Sequence, residues 1–284
     1  MTSSGKRNIE VQTVTARQMT ETHAIDLPDY ERARLDDVAF MTAMNLCLMD
    51  NYAQTGHFGG PLAYTPYNVA CHLAGPDFGG LRYDLRDPKF AYADKFMLAG
   101  GHCIPTCYSL WMIMYEALRR QRKATGDEAF AVDASIEMLP IDALGFRRGA
   151  GALRSLLADN GLTDDPLFVD AKNRGIRALS GHAESIDGTN DVNGGPSGIG
   201  IATAAGKAVF WNYLGAPEEL KVMAIEGEFA LTEGHAQELK NIAVAQQVGK
   251  RLRVLLSDNN AGIDDTLIGG VIKPKYSDYN IAQQ

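Results

Sequence analysis

Leu220-Lys221-Val222-Met223-Ala224-Ile225, followed by Glu226-Gly227-Glu228, is a short apolar run that ends in a polar cluster. Leu252-Arg253-Val254-Leu255-Leu256 repeats the pattern and ends in Asp258-Asn259-Asn260. Both runs read as strands, and residues 232–248 between them carry helical patterning. Strand, helix, strand over this length predicts a βαβ unit with parallel strands and a right-handed crossover. The expected class is α/β, a parallel sheet flanked by helices. Parallel pairing puts 226–228 and 258–260 at the same carboxyl edge, where open α/β sheets bind ligands. A carboxylate, an amide oxygen and nearby backbone carbonyls suit Mg²⁺ or Ca²⁺, with phosphate oxygens completing the shell. Polar residues also commonly terminate strands, so this cluster alone does not separate a site from a strand end.

Working outward, Gly195-Pro196-Ser197-Gly198-Ile199-Gly200 leads into a small, apolar helical run over 201–213. Glycines let backbone N–H groups approach an anion, and a helix N-terminus presents partial positive charge to it. The turn matches neither the dinucleotide fingerprint nor the P-loop, but beside an oxygen-rich edge it suits a diphosphate–metal ligand. Lys95-Phe96-Met97-Leu98-Ala99, ended by Gly100-Gly101, predicts a further buried strand, with a helix following from Tyr108 to Arg120. Helical periodicity also begins near Leu35, passes Met41, Met44, Leu46 and Met49, and stops at the glycine-rich turn 56–61. Residues 67–73 are again helix-like. Residues 1–38 read as an extended arm and 39–284 as one domain. The stretch 123–179 contains amphipathic pieces between polar turns and is the least legible.

Composition excludes several classes. The net charge of −8 argues against a nucleic-acid or anionic-membrane surface, which needs clustered Lys and Arg. The basic run 119–123 closes a predicted helix, where cations complement the dipole. No stretch reaches the roughly 20 apolar residues of a membrane span, and residues 1–22 lack an apolar signal core. Four cysteines in a chain this long form no disulfide framework, so reduced thiols and a cytoplasmic location are expected. His102, Cys103 and Cys107 lack the second ligand pair of a zinc site. His57, His102, His182 and His235 each adjoin a glycine, a setting that delivers a ring to a cleft. His72 lies in an apolar helical run and, with His23, is expected to have no role in a site.

The order of these segments resembles one family. Gly56-His57-Phe58-Gly59-Gly60-Pro61-Leu62, then 94–102 ending in Gly100-Gly101-His102, then Gly181-His182-Ala183-Glu184, then 195–200, resembles the N-terminal domain of transketolases. The last part, 226–228 to 258–260, looks like the thiamine-diphosphate motif that opens Gly-Asp-Gly and closes on Asn. The resemblance spans roughly residues 39–265. It implies a thiamine-diphosphate-binding fold and transfer of a two-carbon ketol unit between sugar phosphates. It implies that His57 and His102 meet the diphosphate and the substrate end of the cleft, and that His182 binds the donor sugar. Gly195 and Ser197 would lie against the cofactor. Glu226, the Asn259 side chain and the Ala261 carbonyl would hold Mg²⁺ or Ca²⁺, with Gly227 donating its N–H to the diphosphate. Glu233 and Glu238 match acidic positions near the family's subunit interface.

Three departures qualify it. Where the motif has Asp, this chain has Glu226, one methylene longer, whereas Mg²⁺ demands near-ideal octahedral geometry. Eighty residues separate His102 from His182, which marks 123–179 as an insertion. The sequence ends 25 residues after Asn259, with no counterpart of the family's pyrimidine-binding domain or its proton-transfer glutamate. A homo- or hetero-oligomeric partner, or a missing segment, is expected to supply that domain. A component of a thiamine-dependent 2-oxo-acid dehydrogenase and a non-catalytic relic are the alternatives.

Overall fold

The computed structural model describes residues 32–147 and 175–258. Residues 1–31 of the expected arm, residues 148–174 of the illegible stretch, and Asn259 and Ala261 lie outside the described residues.

Helix α1 (Arg32–Ala53) is followed by α2 (Gly59–Leu73), strand β1 (Lys95–Leu98) and α3 (Ile104–Thr125). After the 3₁₀ turns around 128–145 come α4 (Ile199–Tyr213), β2 (Val222–Gly227), α5 (Gly234–Ala245) and β3 (Leu252–Ser257). The strands pair in the order β1-β2-β3, all parallel, with Phe96 opposite Met223 and Met223 opposite Arg253. The βαβ unit read from 220–256 is present, and the α/β class holds.

Side chains alternate across each strand, so each face of the sheet collects its own core. Phe96, Leu98, Met223 and Ile225 pack with Met49, Tyr64, Tyr108, Trp111 and Met112 from α1, α2 and α3. Met97, Ala99, Val222 and Ala224 pack with Ile201, Ala204, Ala208 and Leu239 from α4 and α5. Strands covered on both faces read as continuous apolar runs, which is why they were visible in the sequence.

Two elements differ from expectation. The turn 56–61 separates α1 and α2 by only a few residues, because α2 already begins at Gly59. Pro61 is tolerated there since N–H groups in a first helical turn have no intrahelical partner. At the other edge of β1, Asn190 does the work of a strand. It is fully buried; its Oδ1 accepts from Leu98 N (3.0 Å), and its Nδ2 donates to Glu184 O (3.0 Å) and Val192 O (2.6 Å). Asp191 N donates to Phe96 O at 2.8 Å. Asn190→Ala would strand these buried groups, and urea unfolding should show a loss of about 1–3 kcal/mol. An unchanged unfolding midpoint would mean that the edge is satisfied in another way.

The amino edge is pinned by Asp94, whose carboxylate accepts from Arg82 N (2.7 Å) and Lys221 N (2.8 Å). The carboxyl edge is then free to carry loops: 99–103 after β1, 228–232 after β2 and Asp258 after β3.

Candidate functional site

Alternation along β2 decides where Glu226 points. It shares a parity with Val222 and Ala224, so it faces the α4 side, whereas Gly227 faces α2. Glu226 is 3% exposed. Its Oε1 accepts from Gly227 N at 3.0 Å, and Gly198 N at the start of α4 also donates to the carboxylate. Its Oε2 is buried and has no partner among the described residues. Burial pushes the Glu226 carboxyl up to about 7, against the pull of the two backbone N–H groups. On the opposite face, the Tyr64 hydroxyl lies beneath Gly100 and Gly227; a Cβ at those positions would stand 2.5 and 3.2 Å from it.

The glycine-rich segment meets this edge as expected. Gly198 takes a left-handed conformation (φ 75°) at the N-cap of α4, and Gly200 packs so closely on Ala99 that a Cβ would stand 2.3 Å from its Cα. Gly195 and Ser197 are exposed beside this helix start. His235, at the start of α5, donates from Nε2 to Ser197 O at 2.9 Å and so fixes the turn.

The three histidines converge. Gly101 O accepts from Ala183 N (2.9 Å), and Ala183 O accepts from Gly194 N (2.9 Å), which draws 182–183 and the glycine-rich segment against the end of β1. His57 and His102 stack edge-to-face, with ring centroids 4.8 Å apart. His182 is close enough that its charge acts on both. Burial, then the charges of His57 and His182, lowers His102 to about 4, so its ring is neutral at pH 7. His57 is shifted down by burial, Arg147 and His182. At neutral pH the His102 ring therefore works as a hydrogen-bonding group rather than as a fixed cation.

The approach of Gly101 to Gly194 is the tightest requirement here. A Cβ on Gly101 would stand 2.5 Å from the Gly194 carbonyl, and backbone cannot swing aside as a side chain can. Gly101→Ala should cost about 1–3 kcal/mol in urea unfolding. Unchanged stability would show that the two loops can part freely.

Other residues at this edge gave weaker signals in the sequence. Asp50 is a carboxylate on the buried stripe of α1, next to Leu46, Met49 and Ala53. Arg147 lies in the stretch that was illegible, and the Phe146–Leu179 bridge brings it to Gly181. Cys103 and Cys107 are fully buried with their thiols pushed up by burial, which suits packing rather than metal binding. No cluster of three His, Cys, Asp or Glu side chains suited to a metal occurs among the described residues. The expected metal set contains just one such side chain, Glu226, and its other two members lie outside the described residues.

No family model and no curated protein match the chain. Solved structures do. Transketolase from Leishmania mexicana is similar with a TM-score of 0.57 at 20% identity, covering 87% of this chain and 30% of its own. A transketolase variant from Pichia stipitis in complex with fructose-6-phosphate gives 0.56 at 20% identity, covering 88% of this chain and 31% of its own. The Pichia stipitis enzyme in complex with sedoheptulose-7-phosphate gives 0.53 at 21%, covering 87% and 30%. The chain thus has the fold of these proteins, the thiamine-diphosphate-binding fold, and spans about 30% of their length.

Proposed function

We propose that this chain supplies the diphosphate- and metal-binding half of a transketolase-like site that moves a two-carbon ketol unit between sugar phosphates. The observation that carries this reading is Glu226. A carboxylate 3% exposed, with one oxygen unpartnered at a helix N-terminus, is costly unless a cation completes it. A diphosphate bridged by a divalent cation would satisfy both the helix start and the carboxylate.

The residues fit such a group. Glu226, with the Asn259 side chain and the Ala261 carbonyl, would hold Mg²⁺ or Ca²⁺, and Gly227 would donate its N–H to the diphosphate. Gly195 and Ser197, held by His235, would line the cofactor. His57 and His102 would hydrogen-bond the diphosphate side and the substrate end of the cleft. The exposed His182 would reach the donor sugar. Thiamine diphosphate, when bound, supplies the carbanion chemistry, while the protein orients and polarises it. A pyrimidine-binding domain, from another subunit or another segment, would complete the site, and in the first case the working form would be a homo- or hetero-oligomer. A cytoplasmic location belongs to the same reading. No described helix is long and apolar enough to cross a membrane.

Calorimetry with thiamine diphosphate and Mg²⁺ or Ca²⁺ tests the proposal, with and without a pyrimidine-binding partner. Saturable, metal-dependent binding is expected. Absence of binding even with the partner would leave only a relic of the fold. In the assembled enzyme, CO₂ release from pyruvate without sugar transfer would replace ketol transfer by 2-oxo-acid decarboxylation.

A further inference from the structure

Asp50 on α1 lies in the wall of a groove of about 520 Å³, with Cys47, Asn51, Gln54, Thr55, Gly56 and Phe58, next to His57. It is 9% exposed, yet neither carboxylate oxygen has a hydrogen-bond partner among the described residues. Gly56 packs directly against it: a Cβ there, at φ 146°, would stand 2.8 Å from Asp50 Oδ1 and 3.3 Å from Phe146. Beyond Phe146 lies Arg147, its guanidinium 5.6 Å from the ring centroid. Arg147 Nη2 donates to Gly181 O at 3.2 Å, and its Nε is buried without a partner among the described residues. The positive charge of Arg147 acts on both Asp50 and His57.

These groups restrict the ligand. A cation would suit Asp50 but is opposed by Arg147. An anion would suit Arg147 but is opposed by Asp50. A neutral hydroxyl donates to the carboxylate without adding charge, while Arg147, which does not line the groove, acts on Asp50 through its charge alone. Asn51, Gln54 and Thr55 add further hydroxyl-bonding groups along the same wall, and the volume is that of a small-molecule site. We propose that this groove binds the hydroxyl-bearing carbon chain of the substrate, with Asp50 accepting from its hydroxyls and Arg147 balancing the charge. The groove thereby selects polyhydroxylated substrates over simple 2-oxo acids. This rests on the sugar-phosphate reading above and extends it to residues which that reading does not use.

The test uses the full chain and two probes, D-fructose 6-phosphate and inorganic pyrophosphate with Mg²⁺, each titrated into wild type, Asp50→Asn and Arg147→Lys. Asp50→Asn should weaken the sugar phosphate about tenfold and leave pyrophosphate unchanged. Arg147→Lys, which keeps the charge, should have the smaller effect. Urea unfolding at pH 7.5 guards against a merely structural role: a carboxylate buried without partners is a burden on stability, so Asp50→Asn should unfold no more easily than wild type. Sugar-phosphate affinity within twofold of wild type in Asp50→Asn, or marked destabilisation, overturns the groove assignment. So does failure of wild type to bind the sugar phosphate. In that case the pyrophosphate titration tells the two readings apart, since retained metal-dependent binding leaves the cofactor site standing.

Discussion

Glu226→Gln should lower the affinity of this chain for thiamine diphosphate with Mg²⁺ by at least about 100-fold, because removing one partner of a buried charge contact costs about 3–5 kcal/mol. The size follows from position. Glu226 is the carboxylate that β2 aims at the start of α4, and its unpartnered Oε2 is buried where a cation would have to sit. Gln keeps the volume and can still accept from Gly227 N and Gly198 N, so the fold should persist while the charge is lost. Glu226→Asp separates charge from reach. Its affinity should stay within about tenfold of wild type and its preference should move toward Mg²⁺, which tolerates displaced ligands less well than Ca²⁺. Calorimetry with each metal reads both effects. Equal binding by Glu226→Gln and wild type would remove Glu226 from the metal site and take the main support of the proposed function with it.

What the sequence made legible follows from which signals are local. The apolar run ending at Ile225 and the run from Lys95 were recognisable because strands buried on both faces are continuously apolar. The glycines at 100, 101, 198 and 200 were recognisable as punctuation, and the structure gives each a physical reason in close contact with Tyr64, Gly194, His235 or Ala99. The aim of Glu226 also follows from strand parity. What stayed hidden depends on contacts far apart in sequence. Asn190 serves as a strand edge through its side chain across 92 residues, and no local pattern marks that. Arg147 joins the histidines only because Phe146 bridges Leu179. Asp50 left a trace, a charge on the apolar stripe of α1, but a stripe alone does not say whether the charge is paired. His72, expected to have no part in a site, is indeed a core residue, and its consequences are for stability.

That residue carries the second large effect. His72 is 3% exposed, and its Nδ1 donates to Asn68 O at 2.9 Å. With that tautomer fixed, Nε2 of the neutral ring accepts from the Thr189 hydroxyl at 2.7 Å. Burial lowers its pKa from 6.5 to about 4, so the folded state resists protonation while the unfolded state does not. The stability from keeping this ring neutral is fully present above pH 6.5 and is lost as pH falls toward 4, a change of about 3 kcal/mol. The Asp50 carboxyl, raised by burial to about 6, works in the opposite sense: its contribution is present below 3.8 and is lost as pH rises through 6. Absolute pH profiles therefore mix these two with the shifted Glu226 and His102, and the difference between His72→Gln and wild type isolates the buried histidine of α2. Urea unfolding should find the variant less stable at pH 7.5, with the gap closing by about 3 kcal/mol at pH 4. A gap independent of pH would mean that the ring is not the titrating group. The location matters for function as well, because Thr189 precedes Asn190, the side chain that closes the edge of β1. Acid should therefore loosen that edge and the 191–198 segment with it.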